Sequence, residues 1–392
     1  MNRPLKDEAS GRVVRRSPIP RTLVVTNDFP PRVGGVQQYV WNVVSNLPAK
    51  RIAVFAPSWP GWREHDAAAM FPVHRWPSSF LWPTEDLRRR ITSLIQEHDA
   101  DVVLFGHGFP LPLLGPPLAR RGTPYVVMTH GAEVWLARTP AVAASMRLAF
   151  GRAAAVTAVS QWTAQALQRV APPGGPIAVV YPGVDAERFS PAVDGSPLRE
   201  RLGLTDARVV VCVSRLVARK GQDVLIAAMS LIRPLVPEAV LLIVGDGPHR
   251  RRLRAAAAEA PEGSVVFAGE VDPGDLARYY AAGDVFAMPC RSRWGGLEVE
   301  GFGIVFLEAA ATGKPTVAGR SGGAGEAIVD GVTGVLVEGR EPKAVALAIA
   351  GLLSDPGAMA RMGAAGRARI EEGFTWPKRT QQLAAILREA VR

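Results

Sequence analysis

The chain has 392 residues, 48% of them hydrophobic and 21% charged, with a formal net charge of +10. That length accommodates about two domains of ordinary size, and the balance is that of a soluble globular protein. No apolar run reaches the roughly eighteen residues needed for a membrane span, and residues 1–20 are polar without the apolar stretch of a signal peptide. Those residues are read as a disordered tail.

From Thr22 the chain alternates between short β-branched runs and helical stretches. The runs of the first half are TLVVT, RIAVFA, DVVLF, PYVVMT, AAVTAVS and IAVVY, with helices such as 85–98 and 161–170 between them. Strands separated by helices imply βαβ units and a parallel sheet covered on both faces. Residues 181–200, rich in Pro, Gly and Ser, break the rhythm and read as a linker. The alternation restarts with ARVVVCVSR, AVLLIVGDG, SVVFAGE, DVFAMP, KPTVAG and TGVLVEG, and from Pro342 the chain is helical to its end. The expected fold is α/β with two doubly wound, Rossmann-like domains, over 21–190 and 191–373, facing a central cleft. A C-terminal helix over 374–392 is expected to pack back on the first domain. In open parallel sheets ligands bind beyond the carboxyl ends of the strands, which directs attention to the cleft.

The two cysteines, Cys212 and Cys290, have no metal-ligand spacing and read as buried, reduced thiols of a cytosolic protein. The basic excess suits nucleic acid, an anionic membrane surface or phosphorylated small molecules. It is densest at Arg88, Arg89 and Arg90 and over 249–254. No nucleic-acid-binding signature accompanies these clusters, so nucleic acid is disfavoured. The segment HRWPSSFLWPTEDLRRR interleaves Trp76, Phe80 and Trp82 with Arg75 and the arginine triplet, the composition of a membrane-interface segment. A partly buried loop before a solvated helix face accounts for it equally well.

Several stretches carry chemistry. Gly34 and Gly35 follow the first strand, and Gly245-Asp246-Gly247 a later one, but neither completes a G-x-G-x-x-G fingerprint and no Walker A sequence occurs. A nicotinamide-dependent oxidoreductase and a P-loop NTPase are therefore weak alternatives. SRLVARKG puts Arg215 and Lys220 at a strand end and a helix start, where a planar fork and a point charge suit a diphosphate. EGFGIVFLEA sets Glu300 and Glu308 eight positions apart with Gly301 and Gly303 between them. A helix starting near Gly303 would offer free N–H groups, and the two carboxylates would accept hydrogen bonds from sugar hydroxyls.

Glu300 and Glu308 at that spacing, with SRLVARKG, the early GGVQQY and the later SGGAGE, resemble the retaining GT-B glycosyltransferases of the GT4 family. The resemblance runs in matching order over about 22–376. It is strongest to the actinobacterial phosphatidylinositol mannosyltransferases, particularly the PimB type that adds the second mannose. It implies α-transfer of mannose from GDP-mannose to a phosphatidylinositol mannoside. Arg215 and Lys220 would bind the donor diphosphate. Glu300, with the backbone of Phe302, Gly303 and Ile304, would hold the hexose. Glu308 would meet the ribose, the backbone near Val271 the nucleobase, and His130 the transferred sugar. His130 and Glu300 are thus the catalytic candidates. Gly34 and Gly35 would approach the leaving diphosphate, while Gln37, Gln38 and Tyr39 would face the acceptor, Tyr39 as a platform for the inositol ring.

Two positions depart from the family pattern: Ala132 where relatives often carry a second histidine, and Gly325 where a proline is common. No D-x-D motif follows a strand, so neither a metal nor another cofactor is expected, and two cations replace the ion at the diphosphate. A monomer is expected, peripheral on the inner face of the plasma membrane. The alternatives are another GT4 enzyme using a UDP- or GDP-sugar on a different lipid or soluble acceptor, and a nucleotide-sugar-binding protein without turnover.

Overall fold

The computed structural model describes residues 19–171 and 177–392, so the tail expected over 1–20 lies, but for its last two residues, outside them. The first sheet comprises β1 (Thr22–Val25), β2 (Ile52–Pro57), β3 (Val73–Trp76), β4 (Val102–Phe105), β5 (Tyr125–Thr129), β6 (Ala155–Ala158) and β7 (Ala178–Val179). The second comprises β8 (Arg208–Val213), β9 (Ala239–Val244), β10 (Val265–Gly269), β11 (Val285–Met288), β12 (Thr316–Gly319) and β13 (Gly334–Val337). Their orders are β3-β2-β1-β4-β5-β6-β7 and β10-β9-β8-β11-β12-β13. In each, the first strand in sequence lies inside the sheet and the order reverses beside it, which is double winding. The registers are parallel: Thr22 pairs with both Ile52 and Val102, and Val210 pairs with Leu241 and Val285.

The reason is legible in the strands themselves. β1, β2, β4, β8, β9 and β11 are apolar along nearly their whole length and buried on both faces, as parallel strands covered by helices must be. β3 falls outside the six runs read from the first half. It is an edge strand of sequence VHRW, only half buried, and therefore carries no continuous apolar run. Helices follow the expected segments closely: Glu85–Glu97 is capped by Thr84 Oγ1 accepting from Leu87 N, and Gln161–Leu167 by Ser160 Oγ accepting from Thr163 N. The tail is three helices, Pro342–Leu353, Pro356–Gly373 and Trp376–Ala390. Among the described residues no single helix is long and apolar enough to cross a membrane.

The chain forms two compact units. The first runs to Met128 and includes Leu148–Val156 and Thr380–Arg392; the second comprises Thr129–Arg147 and Thr157–Arg379. Cys212 and Cys290 are both buried, and burial pushes each thiol up to about 12, so both remain protonated at neutral pH.

Candidate active site

In the second unit, one cluster of charged groups lies beyond the carboxyl ends of the strands. β8 runs into a 3-10 turn at Ala218–Lys220, and Gly221, at φ +79°, turns the chain into the helix Gln222–Ile232. A Cβ at Gly221 would lie 2.2 Å from the carbonyl oxygen of Pro289, so glycine is required there both for its dihedral and for space. Gln222 Nε2 donates to Ser214 Oγ at 2.8 Å and to the Arg215 carbonyl at 3.1 Å, bracing the turn. The turn aims two cations at one atom: Lys220 Nζ lies 2.7 Å and an Arg219 guanidinium nitrogen 3.2 Å from Glu300 Oε2. Burial alone would push the Glu300 carboxyl up, but the charges of Lys220 and Arg219 outweigh it and hold it below the ordinary carboxylate value. Glu300 is thus a buried, ionised acceptor.

Its loop is fixed from several sides. Glu300 N donates to Ser321 Oγ at 3.3 Å, and Gly323 N donates to the Glu300 carbonyl at 2.9 Å. A Cβ at Gly301 would stand 2.6 Å from the His130 carbonyl oxygen, so this glycine permits the two backbones to touch. Phe302 is buried between rings, 5.5 Å from Tyr181 and stacked 6.3 Å from Phe374. Gly303, at φ +90°, then starts the helix Ile304–Ala311 where the sequence places it. Phe306 N donates to the Gly303 carbonyl at 3.0 Å, so the first-turn N–H groups without an intrahelical acceptor are those of Ile304 and Val305. Glu308 lies one turn further on, buried, with its Oε2 accepting from Tyr280 Oη at 2.6 Å. Burial, and then the Glu308 charge, push the Tyr280 hydroxyl well above its ordinary value, so it serves as a donor.

His130 follows β5, as expected, and enters the short helix Ala132–Leu136 through Gly131 at φ +104°. The N–H groups of His130 and Gly131 both donate to Glu133 Oε2 at 3.0 Å, which holds the loop. Ala132 is the first residue of that helix. Glu326 stands next to the departure at Gly325 and accepts from the N–H groups of Gln161 at 2.7 Å and Trp162 at 2.8 Å. A carboxylate thus sits at the positive end of the helix Gln161–Leu167.

Other expected residues are distributed as follows. Arg215 is exposed and makes no ion pair among the described residues, whereas Arg219, which the sequence reading did not single out, reaches Glu300. Val271 is half-buried on the loop after β10. In the first unit, Gly34 caps the helix Gly35–Ser45, and a Cβ on Gly35 would meet nothing within 4 Å. Gln38 is exposed, but Gln37 is buried and donates to Asp28 Oδ1 at 2.6 Å. Tyr39 is not an exposed platform: with Val40, Val43 and Val44 it lies on the buried face of the helix, because those positions recur at helical spacing.

The aromatic-basic segment also divides. Trp82 is 62% exposed, with the ring of Phe80 4.6 Å away, while Trp76 packs edge-on against Phe55. Arg75 is no surface cation; only 3% of its side chain is exposed, and it pairs with Asp66 at 2.6 Å and donates to the carbonyls of Pro30 and Pro57. Arg88 and Arg89 pair with Glu85, and Arg90 pairs with Glu97 at 2.6 Å, so acids of the same helix offset the triplet.

Two doubly wound parallel sheets, with carboxylates and cations converging beyond the strand ends of the second, define the GT-B class of glycosyltransferase. Residues 196–369 match the model of glycosyl transferases group 1, and residues 33–188 that of Glycosyltransferase Family 4. A GDP-mannose-dependent alpha-(1-6)-phosphatidylinositol monomannoside mannosyltransferase of Mycolicibacterium smegmatis is 43% identical over 93% of this chain and 97% of its own. A Corynebacterium glutamicum enzyme, named as acting on the monoacylated phosphatidylinositol monomannoside, is 39% identical over 95% and 99%. The solved structure of HepE from Anabaena in complex with UDP superposes at a TM-score of 0.82, with 23% identity over 94% of this chain and 99% of that one. The chain belongs to Glycosyltransferase Family 4, among the relatives of the phosphatidylinositol monomannoside mannosyltransferases.

Proposed function

We propose that this chain is a retaining α-mannosyltransferase that moves mannose from GDP-mannose to a phosphatidylinositol mannoside, adding the second mannose. The observation that carries the reading is the near-full-length identity of about two residues in five to enzymes so named, with the charged set at Glu300 intact. Lys220 and Arg215, joined by Arg219, neutralise the donor diphosphate. Glu300, kept ionised by its two cations, accepts hydrogen bonds from the hexose, and Glu308 from the ribose. The N–H groups of Ile304 and Val305, at the start of the helix beyond Gly303, meet the negative charge that develops as the nucleotide leaves. In the transfer, the bond from the anomeric carbon to the diphosphate breaks and a bond from that carbon to the acceptor oxygen forms on the same face. The acceptor proton passes to the leaving diphosphate, which departs as GDP. Lys220 holds both Glu300 and, in this reading, the phosphate, so it couples sugar position to leaving-group charge.

The acceptor is a lipid, and we infer peripheral attachment to the inner face of the plasma membrane. Exposed Trp82, beside Phe80, supports this; the paired state of Arg88, Arg89 and Arg90 assigns more of the contact to the aromatics than to the cations. The chain is proposed to act as a monomer and without a metal.

The test is to incubate purified protein with radiolabelled GDP-mannose, UDP-glucose or UDP-N-acetylglucosamine and an extracted membrane fraction, and to identify the labelled lipid. Label in a phosphatidylinositol dimannoside from GDP-mannose alone is expected. Label arriving only from a UDP-sugar would refute the donor, and no transfer from any donor, with nucleotide-sugar binding retained, would favour the non-catalytic alternative.

A further inference from the structure

We propose that His74, His98 and Glu97 form a binding site for a first-row divalent transition ion, zinc foremost. His74 projects from β3, the edge strand of the first sheet; Glu97 is the last residue of the helix Glu85–Glu97, and His98 caps it. The two imidazole Nε2 atoms are 2.7 Å apart, their rings are inclined at 61°, and one ligand atom from each of the three residues lies within 4.8 Å of the others. Two imidazoles and a carboxylate are a zinc ligand set, and first-row ions bind such nitrogens at about 2.0–2.1 Å. Neighbouring ligand nitrogens on such an ion stand roughly 3 Å or a little more apart, so an ion replaces the proton shared between the rings after an outward movement of a few tenths of an ångström.

The carboxylate is already oriented. Glu97 Oε1 accepts from Ser93 Oγ at 2.7 Å and from Arg90 at 2.6 Å. Both bonds fall on Oε1, so they fix the orientation of the carboxylate from outside the ligand set, the arrangement that steadies ligating carboxylates. Arg90 also places a like charge beside the ion, which sets a modest affinity. Three protein ligands leave a position for water, because Glu97 is exposed.

The ion would close the chain between residues 74 and 97, clipping an edge strand to the next helix across the segment that carries exposed Trp82. Fixing both ends of that segment removes unfolded-state freedom, so binding and stability are linked. All three ligands belong to the first unit, whereas Glu300, Lys220 and Arg219 belong to the second. The inference therefore does not rest on the proposed transfer.

The test uses the full chain, stripped with EDTA, titrated with zinc chloride by calorimetry and melted with and without zinc. One zinc per chain and a rise in Tm of roughly 2–4 °C at saturating zinc are expected. His74→Gln and His98→Gln should each weaken binding by at least about tenfold and remove the Tm shift. X-ray absorption of the zinc-loaded wild type, which needs no variant to fold, should show two imidazole ligands. Absence of saturable 1:1 binding would overturn the site, as would unchanged affinity in folded His74→Gln and His98→Gln or an absorption spectrum lacking two imidazoles.

Discussion

Lys220→Met isolates the central feature of the site. At an effective dielectric of about 20, contacts of 2.7 Å from Lys220 and 3.2 Å from Arg219 correspond to roughly 6 and 5 kcal/mol of attraction on Glu300 before desolvation is subtracted. Breaking a buried pair by removing one partner costs about 3–5 kcal/mol. Arg219 remains on the same oxygen but is more exposed, so the expected loss is near the lower end, about 3 kcal/mol, read by urea unfolding.

The pH dependence of that loss carries its signature. In the wild type the Glu300 pKa lies below the ordinary carboxylate value, so the pair contributes stability that is present above that value and lost as pH falls through the depressed one. Without Lys220 the opposing effect of burial gains weight and the folded-state carboxyl rises. Protonation then relieves the variant as pH falls, and the gap between wild type and variant narrows from neutral pH toward acid. Adding Glu300→Gln to Lys220→Met should recover most of the loss at neutral pH, giving a coupling of at least about 2 kcal/mol in the double-mutant cycle, larger by whatever Glu300→Gln costs alone. GDP-mannose affinity should fall about 10- to 100-fold, as for one charge-assisted hydrogen bond. A stability loss below about 1 kcal/mol, or one independent of pH between 7 and 4, would refute the buried, ionised Glu300.

Glu300→Ala should abolish transfer while circular dichroism stays native; retained turnover would remove Glu300 from the sugar site. Tyr280→Phe deletes the donor to Glu308 and should cost about 1–3 kcal/mol in thermal or urea unfolding; an unchanged midpoint would mean that the 2.6 Å hydrogen bond contributes nothing. Gly301→Ala pushes a methyl to within 2.6 Å of the His130 carbonyl, so transfer should drop at least tenfold, and normal kcat/KM would show that the His130 loop can yield. Gly35→Val meets open space at its Cβ and should fold normally yet impair transfer; full turnover would count against a phosphate contact by that backbone. Trp82→Ala should reduce flotation with anionic liposomes while leaving the melting temperature unchanged, and undiminished flotation would discard the aromatic contact.

Much of the architecture is carried by local sequence. The six apolar runs of the second half are β8 to β13. The inner strands β8, β9, β11 and β12 are buried on both faces and must be apolar along their length whatever packs on them, while the edge strands β10 and β13 are only partly buried. The start of the helix after Gly303 is equally local, since a glycine at positive φ before an apolar stretch marks an entry. The E-x7-E spacing is legible for the same reason: the loop and helix that carry both carboxylates of the candidate site are contiguous in the chain.

What those groups do to one another was decided only in three dimensions. Arg219 and Lys220 meet Glu300 from about eighty residues away, and Tyr280 meets Glu308 from twenty-eight. Periodicity registers none of these pairs, because partner choice depends on which strand ends the sheet order makes neighbours. Tyr39 and Arg75 depend on tertiary structure for a related reason: an amphipathic side chain reads as surface until its neighbours are known, and here Tyr39 lies on the buried face of its helix while Asp66 neutralises Arg75. His74 and His98 likewise show no pattern along the chain, and only the packing of an edge strand against the end of the following helix brings their nitrogens together. Local sequence specified which segments are strands, helices and turns through backbone preference and burial, which act over a few residues. The charge pairs that set protonation and chemistry depend on distances between segments, and those exist only once the sheets have formed.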